Sequence, residues 1–232
     1  MNITKLAKIY KLNLFIGSIF LASVLSCSAP QVPIQSETGL VKDYSTISTL
    51  QKVVKYGKQG NVNYYKDGTI AISNIPYFMQ GNDNTCGQAV ITSILNFWGK
   101  NLSYQEVVNE TNKSNLPTDI QRITDFLRSK GLYAQDYRGA TLNFIKDRIL
   151  KGNPIIVLLD FGSLSVEHYV IVTGYNETRE ELIVLDSVDG PNRMLPYAKF
   201  EKMWMNVSLR RTGFYVTKYD RVAFDVYVGS GT

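Results

Sequence analysis

Past residue 85 the apolar positions of this chain fall into two successive rhythms. Val90, Ile94, Phe97 and Trp98 recur at helical spacing and stop at Gly99, which predicts a helix opening at or just before Cys86. Ile120, Ile123 and Leu127, ending at Gly131, predict a second helix, and Leu142, Ile145 and Ile149, ending at Gly152, a third. Ser103 is placed to cap a short helix over YQEVVNET. The rhythm then changes. PIIVLLDF (154–161), HYVIVTGY (168–175) and ELIVLDS (181–187) are short apolar, β-branched runs bounded by Gly, Asn, Asp and Pro, and they read as strands with connections short enough for antiparallel pairing. KFEKMW reads as a helical turn. GFYVTKY and the alternation Val222, Phe224, Val226, Val228 supply one or two more strands. Helices followed by a run of strands predict an α+β fold, with N-terminal helices packed on a C-terminal antiparallel sheet.

Upstream of this body the pattern is weaker. In residues 46–75, TISTLQKVV reads as a short helix, and YYKDGTIAIS as a hairpin turned at Asp67-Gly68. Residues 28–45 are polar, contain two prolines and lack periodicity, which suits a tether. The first residues have the parts of a secretory signal: Lys5, Lys8 and Lys11, no nearby acid, then a mostly apolar run over residues 12–26 that ends in small side chains. That run is shorter than the roughly 20 residues needed to span a bilayer, and Asn13, Gly17 and Ser18 weaken it. Its ending, VLSC, resembles the lipobox of bacterial lipoproteins, with Val24 where leucine is commonest. The resemblance implies cleavage before Cys27, lipidation of that residue and retention on a membrane surface of the bacterial cell envelope, on the periplasmic or extracellular face. The alternative is an ordinary signal peptide cut near residues 28–29. The resulting division is a signal at 1–26, a lipidated tether at 27–45, an accessory segment at 46–73 and one main domain at 74–232.

Composition narrows the function classes. Three of the five net positive charges are signal lysines, which leaves residues 27–232 at +2. No dense Lys/Arg stripe with interleaved aromatics is present, so nucleic acid is not an expected partner. No phosphate-binding glycine loop occurs. A zinc site normally takes three or four protein ligands, and the single histidine and single unlipidated thiol are too few soft ligands for one, so no metal or other cofactor is expected.

Cysteine usage carries the chemistry. With Cys27 lipidated, Cys86 is the one remaining thiol and has no partner in the chain for a disulfide. His168, the only histidine, opens the predicted strand HYVIVTGY, and imidazole is the side chain suited to take a thiol proton near neutral pH. A base of this kind works better when a third group fixes its ring. Asp186, at the end of the next predicted strand, would lie beside His168 if those strands pair, with Asp189 as the alternative. Attack on an acyl carbon also creates an oxyanion that needs donors. Gln80, six residues before the cysteine, offers one, and the backbone N–H at the start of the Cys86 helix offers another.

Gln80, five intervening residues, Cys86-Gly87, a helix, then His168 in HYVIVTGY and Asp186 at a strand end together resemble papain-like cysteine peptidases. They are more closely similar to cysteine peptidase family 39, the bacteriocin-processing peptidases that cut after double-glycine leaders, and their stand-alone relatives. The resemblance covers about residues 74–205. It implies a papain-like fold, a peptide or protein substrate, Cys86 as nucleophile, His168 as base and then acid, Asp186 as orienter and Gln80 as oxyanion donor. Ser187 departs from the family pattern, in which a proline frequently follows the aspartate, and Thr85 stands where transporter-linked members often have an acid. The chain is too short to hold the membrane helices and ATPase of a peptidase-containing transporter, so double-glycine specificity is not carried over. An acyl-enzyme resolved by an amine instead of water, and a peptide-binding lipoprotein without turnover, are the alternative functions.

Overall fold

The computed structural model describes residues 39–40, 48–56, 60–81, 84–111, 118–161, 167–205, 207–211 and 215–229. The chain divides into two units, Met1–Ile34 and Gln35–Thr232. The first, which includes the predicted signal and Cys27, lies outside the described residues.

In the second unit the elements run β1 (Gly39–Leu40), β2 (Leu50–Val54), β3 (Val62–Tyr65), β4 (Thr69–Ile72), β5 (Pro76–Tyr77), α1 (Cys86–Phe97), α2 (Tyr104–Thr111), α3 (Ile120–Ser129), β6 (Tyr133–Tyr137), α4 (Leu142–Leu150), β7 (Ile155–Asp160), β8 (Glu167–Asn176), β9 (Glu181–Asp186), β10 (Gly190–Pro196), α5 (Tyr197–Trp204), β11 (Val207–Arg211), β12 (Tyr215–Tyr219) and β13 (Ala223–Tyr227). The helices start where local chemistry supplies a cap. Ser103 and Glu106 form a reciprocal box ahead of α2, with Ser103 N–H donating to Glu106 Oε2 at 2.7 Å and Glu106 N–H to Ser103 Oγ at 3.2 Å. Asp119 accepts from Arg122 N–H at the start of α3, and Thr141 from Phe144 N–H at the start of α4.

The architecture is α+β around a nine-stranded antiparallel sheet, with β8 as its hub. One edge of β8, from Val170 to Asn176, pairs with β9, which continues to β10. The other edge is shared: residues 167–172 pair with β7, which leads to β13 and β6, and residues 174–176 pair with β4, which leads to β3 and β2. Gly174 sits where the partners change. A Cβ there would stand 2.6 Å from the Ile70 carbonyl oxygen, so a side chain would force β4 away. Successive residues of β7 and β8 are buried whichever face they point to, as strands covered on both sides must be, and α1, α4 and α5 pack against them.

Three features differ from the sequence expectation. Residues 50–54 are a strand instead of part of a short helix, because Val53 and Val54 suit a pleated surface and β3 provides a partner. The hairpin at Asp67-Gly68 forms as expected, Gly68 taking φ 85° and Asp67 accepting from Thr69 N–H and Oγ1. Through β4 it joins the same sheet as β8 and β9, so residues 50–72 and the later strands share one layer. The sheet is also not wholly C-terminal, since β6 (YAQDY) interrupts the helices and pairs with β13.

Candidate active site

Asn84 takes the left-handed region (φ 67°), which asparagine tolerates better than most residues, and turns the chain so that Cys86 is the first residue of α1. Thr85, at the N-cap, makes no side-chain cap hydrogen bond, and no acidic residue occupies the first turn. Cys86 therefore sits at the positive end of this twelve-residue helix. Behind the cysteine, Gly87 lets the chain approach Thr118 closely: a Cβ at 87 would lie 2.7 Å from Thr118 Cβ. The Thr118 carbonyl accepts from Tyr169 Oη at 3.0 Å. One residue thus touches the neighbour of Cys86 and the neighbour of His168, and holds helix and strand at a fixed spacing.

Strand register sets the other half of the site. Asp186 pairs directly with Val170, and because side chains alternate with period two, His168 lies on the same face as Val170 and diagonal to Asp186. A one-residue slip would send the carboxylate to the opposite face. The imidazole donates from Nε2 to Asp186 Oδ1 at 2.7 Å, and the Cys86 thiol is its other hydrogen-bond partner. All three groups are buried: Cys86 is 9%, His168 7% and Asp186 1% exposed. Burial opposes a charge on the imidazole, but hydrogen bonds to Asp186 and Cys86, together with their charges, outweigh it and raise His168 to about 9. Burial likewise opposes charge on Asp186. The His168 hydrogen bond and the backbone N–H groups of Val188 and Asp189 outweigh it and hold the carboxyl down to about 2.

Asp186 is saturated with donors. Oδ1 accepts from His168 and from Val188 and Asp189 N–H at 3.0 and 3.4 Å, and Oδ2 accepts from Arg193 Nη1 at 2.8 Å. Arg193 also pairs with Asp189 and lies over the Phe161 ring, whose edge-on contact with His168 has a centroid separation of 5.0 Å. The Phe161 ring and the Arg193 guanidinium thus both touch the Asp186–His168 pair. Asp189, the alternative orienter, meets Arg193.

Gln80 joins through Ser187. Gln80 N–H donates to the Ser187 carbonyl at 3.1 Å, and Ser187 Oγ donates to Gln80 Oε1 at 2.9 Å. Gly81 N–H donates to Tyr104 Oη at 3.2 Å, which anchors the loop that follows. The four candidate residues therefore lie on one bonded path: Gln80 to Ser187, along the chain to Asp186, to His168, to Cys86. Ser187, Arg193, Phe161 and Thr118 are additions to the sequence-derived set. Only Ser187 carried a signal, as the departure after the aspartate. Among the described residues no group of three or more His, Cys, Asp or Glu side chains is gathered as a metal site would require. An open hollow of about 590 Å³ beside α2 and α3, lined by residues such as Glu110, Asp119 and Arg122, shares no residue with this constellation.

No curated protein matches the chain. Among solved structures, a protein from Bacillus anthracis described as a C39-like peptidase is 16% identical and superposes with a TM-score of 0.51 over 68% of this chain and 97% of its own, which supports the fold. The double glycine motif protease of an AMS/PCAT transporter, solved in complex with a leader peptide, is 17% identical with a TM-score of 0.48 over 76% of this chain and 97% of its own. The peptidase domain of Streptococcus ComA, a bi-functional ABC transporter, is 15% identical at the same TM-score over 65% and 96%. The model of the Peptidase_C39 like family matches residues 72–210, a span that takes in α1, β8 and β9. That match covers more than half of the chain, and this protein accordingly belongs to the Peptidase_C39 like family of cysteine peptidases.

Proposed function

We propose that the protein hydrolyses peptide or isopeptide bonds through an acyl-enzyme on Cys86. The observation that carries this reading is the continuous hydrogen bonding from the Cys86 thiol through His168 to the buried carboxylate of Asp186. His168 carries the proton of the Cys86–His168 pair as sulfur attacks the acyl carbon. The oxyanion is met by the Gln80 side-chain amide and by backbone N–H at the open end of α1. The imidazolium then gives its proton to the leaving amine, and water, deprotonated by the same ring, releases the acyl group. Asp186 holds the ring in the tautomer that leaves the second nitrogen for the thiol. Its own low protonation range keeps it a spectator to the proton transfer.

Alkylation of Cys86 by iodoacetamide at pH 7 tests the pair directly. The wild-type rate is expected to exceed that of His168→Ala by about 10²-fold, the scale of a positioned base. Equal rates in the two proteins would show that the imidazole does not activate the thiol. The amino-terminal sequence supports a second part of the proposal, retention on a membrane by lipid on Cys27. Cys27→Ser is expected to move the protein from the detergent phase to the aqueous phase in Triton X-114 partitioning of the expressing bacteria, with intact mass losing the acyl chains. A wild-type protein found in the aqueous phase without added mass would overturn it.

A further inference from the structure

Ser187 bonds Gln80 twice and bonds nothing that reacts. Its carbonyl fixes the Gln80 backbone, its hydroxyl fixes the acceptor end of the Gln80 amide, and it is itself 0% exposed. It is also the residue directly after Asp186, whose Oδ1 is held by the two N–H groups that follow Ser187 in the chain. The turn after β9 therefore sets the orienter of the base and the arm of Gln80 in a single rigid piece.

We propose that Ser187 is a positioning residue for the oxyanion donor. By donating to Gln80 Oε1 it selects the amide orientation in which Nε2, a donor, is the end that can meet negative charge. This inference rests on the acyl-enzyme reading of Cys86. A glutamine side chain has two amide orientations of nearly equal shape and opposite polarity, and in the reversed one an oxygen would confront the developing oxyanion. Preorganised donors stabilise a transition state because they do not have to reorganise when charge appears. A glutamine without this hydroxyl would lose part of that advantage while keeping its place in the loop.

The test compares two reactions of Cys86. With p-nitrophenyl acetate, sulfur adds to the carbonyl carbon, the oxygen carries the charge, and p-nitrophenolate leaves as the C–O bond breaks, with the thiol proton retained on His168. With iodoacetamide, sulfur displaces iodide from a saturated carbon and no oxyanion forms. Ser187→Ala removes only the hydroxyl. It is expected to lower the acylation rate about 10-fold with the alkylation rate unchanged, a smaller loss than the 10²–10³-fold expected of Gln80→Ala. In the Gln80→Ala background, Ser187→Ala is expected to cost nothing further, because the hydroxyl acts through the amide. Unchanged alkylation in each variant shows that the Cys86–His168 pair remains folded. A Ser187→Ala protein that acylates at the wild-type rate, or that loses a further 10-fold in the Gln80→Ala background, overturns the positioning role while leaving the acyl-enzyme intact. Acylation insensitive to both Gln80 and Ser187 overturns the assignment of Gln80 as donor, and the role of Ser187 falls with it.

Discussion

The Cys86→Ala protein is expected to cleave any peptide the wild type cleaves about 10⁴- to 10⁶-fold more slowly, with a thermal midpoint close to that of the wild type. On the proposed reading the thiol is the group that forms the acyl intermediate. Its removal leaves His168 bonded to Asp186 and leaves the apolar face of α1, Val90, Ile91, Ile94 and Leu95, fully buried as before. A small buried cysteine serving only to fill space would give the reverse pattern, a loss of stability without a loss of chemistry. Product formation from a peptide library, followed by mass spectrometry beside calorimetry of the same samples, separates the two. Residual cleavage within 10-fold of wild type would place the chemistry elsewhere in the molecule.

Asp186→Asn is the second large effect. An asparagine keeps the shape of the side chain, but its amide nitrogen can face the ring and favour the wrong tautomer, so kcat/KM is expected to fall about 10⁴-fold. The pH profile should change as well. In the wild type the imidazolium persists to about 9, which sets the alkaline limb of kcat/KM near that pH. Without the carboxylate, burial pulls the ring downward against Cys86 alone, so the limb is expected to move to lower pH. The folded-state shifts also give the sign of the stability effect. His168, raised to about 9, contributes stability that is complete below its unfolded value of about 6.5 and is lost as the pH rises through about 9. Asp186, lowered to about 2, contributes stability that is complete above its unfolded value of about 3.9 and is lost as the pH falls through about 2. The gap in unfolding free energy between wild type and Asp186→Asn is therefore expected to be widest between about pH 4 and 6.5. A gap that does not vary with pH would mean that the pair is not ionised in the native state.

The parts of this molecule that could be read from its sequence are those in which neighbouring residues carry the signal. The α1 periodicity stops at Gly99, the Ser103 box opens α2, and the β8–β9 hairpin is short enough that its two apolar runs have to pair. That hairpin is why His168 and Asp186 could be set side by side before any coordinates. Elements whose partners are distant in the chain were harder to see. β10, GPNRMLP, has proline at two positions and is a strand because β9 lies beside it. β6 depends on β13, some ninety residues later, and β2 needed β3 to outweigh a helical reading of TISTLQKVV. In the site, residue types chosen for their chemistry could be picked out by spacing. Arg193, Phe161 and Thr118 could not, because arginine, phenylalanine and threonine serve many purposes and only the folded chain brings Arg193 to Asp186, Phe161 to His168 and Thr118 to Tyr169.

The shared edge of β8 has a practical corollary for anyone trimming this protein to its enzymatic part. The family match begins at residue 72, at the very end of β4, so a fragment cut there would discard Thr69–Ala71 and strip the far half of the base-bearing strand of its neighbour. Main-chain groups at 174–176 would then have to find water or a second molecule, and bare strand edges of that kind invite sticking between copies. The smallest self-sufficient piece of this molecule is larger than the stretch its relatives have in common.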